Sequence, residues 1–66
     1  MMVKKTQDGQ YLITVSEYEL ITVSNCLNEV CHGIHIDAFH TRLGADKEEV
    51  REMLKTCGDM LRRSGR

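Results

Sequence analysis

Ser16 to Gly33 is the stretch that most narrows what this chain can become. Ser16, with Glu19 three residues on, reads as a capping box, in which the serine hydroxyl and the glutamate carboxylate each satisfy a free N–H at a helix start. Glu17 and Glu19 also put negative charge where the helix dipole favours it. Beyond them Leu20, Val23, Leu27, Val30 and Ile34 recur at three- and four-residue spacing, with Ile21 and Cys31 on the flank. Gly33 makes a C-terminal stop. The pattern predicts a helix over 17–32 with a single apolar stripe, and such a stripe needs a partner surface.

Upstream, Asp8-Gly9 separates VKKTQ from QYLITV, the dipeptide that favours a type I′ hairpin turn. In the second arm Tyr11, Ile13 and Val15 share one face, while Leu12 and Thr14 take the other. An isolated hairpin is marginal in water, so the Tyr11/Ile13/Val15 face is expected to lie on the helices. This hairpin occupies 1–15.

Downstream, Ile34, His35 and Ile36 form a short extended linker. Asp37 is placed to cap a brief helix over 37–43, in which Phe39 and Leu43 lie four apart, and Gly44 ends it. Asp46 and Glu49 form a second capping box, opening a helix over 46–62 with the apolar line Val50, Met53, Leu54, Cys57 and Leu61. Gly58 inside that helix costs roughly 1 kcal/mol relative to alanine, which predicts a kinked or frayed last turn. Arg62 and Arg63 suit the negative end of the dipole, and a disordered tail is expected over 64–66. The fold class is therefore α+β: one small domain with a short N-terminal β-hairpin followed by three helices.

The stretch 36–54 resembles the helix-turn-helix of bacterial DNA-binding domains. With Gly44 as the turn glycine, Phe39, Leu43, Val50 and Met53 fall where that motif places the apolar residues that lock its two helices. His40 departs from the motif's alanine or glycine, and Ala45 from its larger aliphatic. The run from Leu27 to Gly33, followed by Phe39 to Gly44, is also similar to a group of small bacterial proteins, a likeness that carries no activity with it. The helix-turn-helix resemblance implies a DNA-binding regulator acting as a dimer. Its last helix would enter the major groove, Arg51 would read guanine, and Lys47 and Lys55 would touch phosphates.

Charge points the other way. Residues 17–59 hold nine acids, Glu17, Glu19, Glu29, Asp37, Asp46, Glu48, Glu49, Glu52 and Asp59, against four bases, Arg42, Lys47, Arg51 and Lys55. The compensating Lys4, Lys5, Arg62, Arg63 and Arg66 sit at the ends. A nucleic-acid docking face is usually basic, whereas the candidate docking helix is among the most acidic parts of this chain. The same helix is equally an ordinary solvated face laced with Glu48–Arg51 and Glu52–Lys55 pairs. Glu29 and Arg42 are placed to bridge two helices, a surface ion pair worth about 0–1 kcal/mol.

Cys26, Cys31, His32, His35 and His40, with Cys57 on the partner helix, invite a metal in the pattern C-x4-C-x3-H-x4-H. Helix geometry disfavours it, because Cys26 and Cys31 stand about 140° apart around one axis, and tetrahedral zinc needs convergent ligands. A set of Cys31, His35 and Cys57 is the residual candidate. Otherwise the thiols are expected to behave as small buried apolar groups. No phosphate-binding glycine loop or nucleophile–base–oxyanion constellation is present, and a chain of 66 residues has little room for a cleft of ~300 Å³. No enzymatic activity and no cofactor are expected.

An odd cysteine count, with two N-terminal lysines but no apolar segment after them, points to a reducing cytoplasm. No run approaches the roughly 18 apolar residues of a membrane span. A core this small supplies only about 3–5 kcal/mol, so self-association into a homodimer is a reasonable expectation. The favoured function is a non-enzymatic protein-interaction module, such as an inhibitor, antitoxin-like protein or adaptor. It would present an acidic helical face of Asp46, Glu48, Glu49 and Glu52 to a protein partner with a basic surface.

Overall fold

Ser16 does cap the long N-terminal helix as a capping box. Its hydroxyl accepts from the Glu19 N–H at 3.1 Å, and Glu19 accepts from the Ser16 N–H at 2.9 Å. The computed structural model describes residues 1–63, and its order is hairpin, long helix, short helix, long helix. Strands β1 (Met2–Lys5) and β2 (Tyr11–Thr14) pair antiparallel, with Val3 opposite Ile13 and Lys4 opposite Leu12. Helix α1 spans Glu17–Asn28 and continues into a π-helical turn, Glu29–Gly33. Helix α2 is Phe39–Leu43 and helix α3 is Lys47–Arg63. The expected α+β class and all four elements are therefore present, and the expected tail over 64–66 lies outside the described residues.

The hairpin loop differs from the expected type I′ turn. That turn needs positive φ at both central residues, but Gly9 (φ +85°) is the one hairpin residue with positive φ, and Asp8 is not. The Thr6 N–H donates to the Gln10 carbonyl at 2.8 Å, so three residues, Gln7 to Gly9, bridge the strands. This is the longer hairpin loop in which a left-handed glycine closes a right-handed turn. The Asp8 carboxylate accepts from the Thr6 hydroxyl, which holds its pKa below the usual carboxylate value.

The hairpin does not bury its apolar face. Every residue of β1 and β2 is exposed, Tyr11 at 63% and Ile13 at 57%, and beyond them Thr6 and Val15 are half-buried. The expected packing of Tyr11 and Ile13 on the helices is therefore absent. The hairpin is fastened to α1 at its root, where the Met1 ammonium lies 3.0 Å from the Glu19 carboxylate.

The core lies between α1 and α3, which pack on each other. Val50 (4% exposed) and Cys31 (2% exposed) are the buried apolar residues. Burying Val50 contributes about 1.5–3 kcal/mol. Leu20, Ile21, Val23 and Leu27 are half-buried from α1, Val30 from the π-turn, and Leu54, Cys57 and Leu61 from α3. The π-turn is what carries Cys31 inward, since the Ile34 N–H reaches back five residues to the Glu29 carbonyl at 3.0 Å. Widening the last turn rotates the residues after Asn28 relative to the α1 stripe. Ile34, which shares the spacing of that stripe, does not join it: it is 55% exposed on extended backbone, as expected for the start of the linker.

The helical run ends at Gly33 as expected: this glycine closes the π-turn without a positive φ, and Ile34 after it is in the β region. One expected cap is replaced. Asp37 does not cap α2. That position belongs to Ala38, held left-handed at φ +53° and ψ +49° without a side-chain cap, while Asp37 takes a hydrogen bond with the His35 ring at 2.9 Å. Gly44 ends α2 left-handed as expected (φ +76°). Helix α3 runs through Gly58 to Arg63, so its last turn is not frayed. The chain is broad and thin, 33 × 31 × 17 Å, with a radius of gyration of 13.2 Å, where a compact chain of this length would have about 11 Å.

Candidate functional site

Where α1 leaves α3, the helices part into an apolar groove of about 290 Å³. Cys26, Leu27 and Val30 form one wall, Leu43 and Ala45 close one end, and Val50 and Met53 supply floor and opposite wall. Val50 is buried, but Met53 is 53% and Leu43 40% exposed. Met60, 54% exposed, continues the same side of α3, about 20° from Met53 around the axis. A groove of about 300 Å³ is at the small end for a ligand site, and such sites usually carry a few convergent polar groups. This one is lined by side chains without hydrogen-bonding nitrogen or oxygen, so it offers shape and apolar surface rather than chemistry.

The acids expected to act as one face, Glu48, Glu49 and Glu52, occupy a single arc of about 100° on one side of α3. At 100° per residue, Glu49 stands about 40° from Met53 around α3, Glu52 about 100° and Glu48 about 140°. Neither Asp46 nor Glu49 lines the groove; Asp46 follows the lining residue Ala45 in sequence, and Glu49 is the acid nearest Met53 around the helix. Glu49 also accepts the Asp46 N–H at 2.8 Å, half of the expected capping box. The Asp46 carboxylate lies 3.9 Å from the His40 ring. Glu48 faces away, paired with Arg51.

The bases of the DNA-reading alternative share that far face. Arg51 is engaged by Glu48, and Lys55 donates to Asp59 at 3.2 Å. Asp59 also accepts from Arg62. The Lys55 hydrogen bond, then the charges of Lys55 and Arg62, hold the Asp59 carboxyl below its usual range. Lys47 opens the helix at its positive end, a poor place for a cation. These exposed pairs resemble an ordinary solvated helix face.

The thiols and imidazoles do not converge. Cys31 is buried, Cys57 half-buried and Cys26 exposed, so burial of all three thiols is corrected at Cys26, which forms groove wall instead. His32, His35 and His40 are all exposed, and His35 turns to Asp37 rather than to Cys31. Among the described residues no group of three or more His, Cys, Asp or Glu side chains could hold a metal ion. Glu29 and Arg42 form no ion pair. The Glu29 carboxylate folds back over Gly33, where a Cβ would collide with it.

Sequence reasoning named Val50, Met53, Leu43 and Leu27 as core but missed the groove between them. The one signal was Ala45, smaller than the helix-turn-helix pattern wants, which leaves the end of the interhelical space unfilled. No helix among the described residues is long and apolar enough to cross a membrane. No family model, no curated protein and no solved structure matches this chain.

Proposed function

We propose that this chain is a small non-enzymatic protein-interaction module, of the inhibitor, antitoxin-like or adaptor kind, that seats an amphipathic helical segment with basic flanks. The observation that carries the reading is the open apolar groove with its Val50 floor and exposed Leu43 and Met53 rims. A helix laid into such a groove buries its own apolar stripe, a recurrent mode of peptide recognition. Asp46 and Glu49 beside the groove favour lysine or arginine at the flanks of the bound segment. Glu48 and Glu52 add to the field that steers a basic partner toward this side of the molecule.

The test is fluorescence anisotropy with a labelled Leu/Lys amphipathic helical peptide and, as control, the same composition scrambled to destroy the stripe. Saturable one-to-one binding of the amphipathic peptide, weakened at least tenfold by Met53→Lys, is expected. Met53 is exposed, so that change leaves the fold intact. Equal affinity for both peptides, or no loss in Met53→Lys, refutes the reading. The DNA-binding alternative, a dimer contacting duplex through Lys47, Arg51 and Lys55, is tested in the same instrument with generic duplex at low salt. Binding that falls steeply as salt rises would show phosphate neutralisation and favour the regulator.

A further inference from the structure

A two-stranded hairpin is marginal in water; a third strand or a helix beneath it is what makes it stable. This sheet has two strands, and all eight of their residues are exposed. Val3, Tyr11, Leu12 and Ile13 are 57%, 63%, 60% and 57% exposed. The molecule as a whole exposes 5452 Å², where a compact monomer of its mass would expose about 4,300 Å². The excess, roughly 1,150 Å² by the same scaling, is larger than the ~800 Å² each partner contributes to a standard stable interface.

The two edges of the hairpin are unlike. Strand β1 carries Lys4 and Lys5, charged side chains of the kind that blunt edge pairing. Strand β2 reads YLIT and carries no charge, proline or glycine. The Thr6 N–H to Gln10 carbonyl bond fixes which groups face outward. Hydrogen-bonded pairs alternate along an antiparallel ladder, so Lys4/Leu12 and Met2/Thr14 bond inward. Tyr11 and Ile13 therefore turn their N–H and C=O groups to the open edge.

We propose that this edge is a homodimer interface, on which a second copy of the chain lays its own β2 antiparallel about a two-fold axis at Leu12. Tyr11 exchanges both backbone hydrogen bonds with the partner's Ile13, and Ile13 with the partner's Tyr11. Leu12 stands opposite the partner's Leu12. The product is a four-stranded sheet in the order β1-β2-β2-β1. One face gains tyrosine–isoleucine neighbours across the junction, a favourable cross-strand pairing. The outer edges are then the lysine-bearing β1 strands, so the isologous contact closes at two copies rather than running on. This surface is separate from the groove and does not depend on what the groove binds.

Sedimentation equilibrium of the full chain should show a monomer–dimer equilibrium, and Leu12→Lys should shift it to monomer while the helical circular dichroism is retained. Disulfide trapping tests the register in a Cys26→Ser background. Across the axis the Leu12 Cα atoms lie about 4.5 Å apart, inside the disulfide window of about 4.4–6.8 Å. Leu12→Cys should therefore cross-link to a covalent dimer under mild oxidation. Thr14→Cys, which falls opposite the partner's Gln10, should cross-link at least tenfold more slowly. A monomer at all concentrations overturns the proposal. So does a dimer that survives Leu12→Lys, or one in which the two cysteine variants cross-link alike.

Discussion

Ala38 is the non-glycine residue held at positive φ (+53°) among those described, and replacing it by glycine should stabilise the protein. A left-handed L-residue costs about 1–2 kcal/mol against its right-handed form. Glycine removes that strain but returns about 0.4–1 kcal/mol through greater freedom of the unfolded chain. The balance for Ala38→Gly is a gain of about 0.5–1 kcal/mol. For a domain of this size that raises the thermal midpoint by about 3–6 °C. Gly44, at φ +76° with nothing within 4 Å of an added Cβ, is the matched opposite. Gly44→Ala introduces the same backbone strain without a clash, and should cost about 0.5–1 kcal/mol. Urea titrations of both variants, followed by circular dichroism, measure the two signs. If Ala38→Gly loses stability while Gly44→Ala behaves as stated, Ala38 is right-handed in solution. Helix α2 would then start one residue earlier under an Asp37 cap, and the path that places Leu43 at the groove end would fail with it.

Gly58 lies within α3, and an added Cβ would meet only the Arg62 guanidinium at an ordinary 3.5 Å; Gly58→Ala should stabilise by about 1 kcal/mol, read as a higher urea midpoint. Hydrogen bonding to the Ser16 N–H, then to the Met1 ammonium, holds the Glu19 pKa below its ordinary 4.5. A depressed carboxylate contributes stability that is present above its unfolded pKa and lost as pH falls through its folded one. Unfolding midpoints should therefore fall on acidification below about pH 4.5, with a shallower fall in Glu19→Gln. Cys26 is exposed and Cys31 buried, so a thiol reagent should modify Cys26 at once and reach Cys31 only as the chain opens; equal rates at both would contradict the packing of the π-turn against α3.

Local hydrogen bonding and periodicity were enough to define the elements from sequence. Ser16 and Glu19 can satisfy each other's backbone neighbours wherever the chain goes next, so the start of α1 was legible. So were the order of elements, the left-handed Gly44, and the apolar line of α3 from Val50 to Leu61. What depended on how faces meet was not legible. The alternation of Tyr11 and Ile13 says that one face of β2 is apolar, but no local rule says whether α1, a second chain or water lies against it. The widened turn at Glu29–Gly33 packs on α3 with Cys31 buried in it, a contact between distant segments that no window of α1 alone contains. The left-handed Ala38 likewise goes against its own backbone preference, which only the path from the π-turn into α2 can impose. The acids of α3 share one arc of the helix, as its 100° period dictates, yet only the docking of α1 on α3 decides that an apolar groove opens next to that arc. Sequence by itself determined which segments become helix or strand, because those choices rest on hydrogen bonds between near neighbours. Only the tertiary structure decided which surfaces remain open, because burial is a property of pairs of elements distant in the chain.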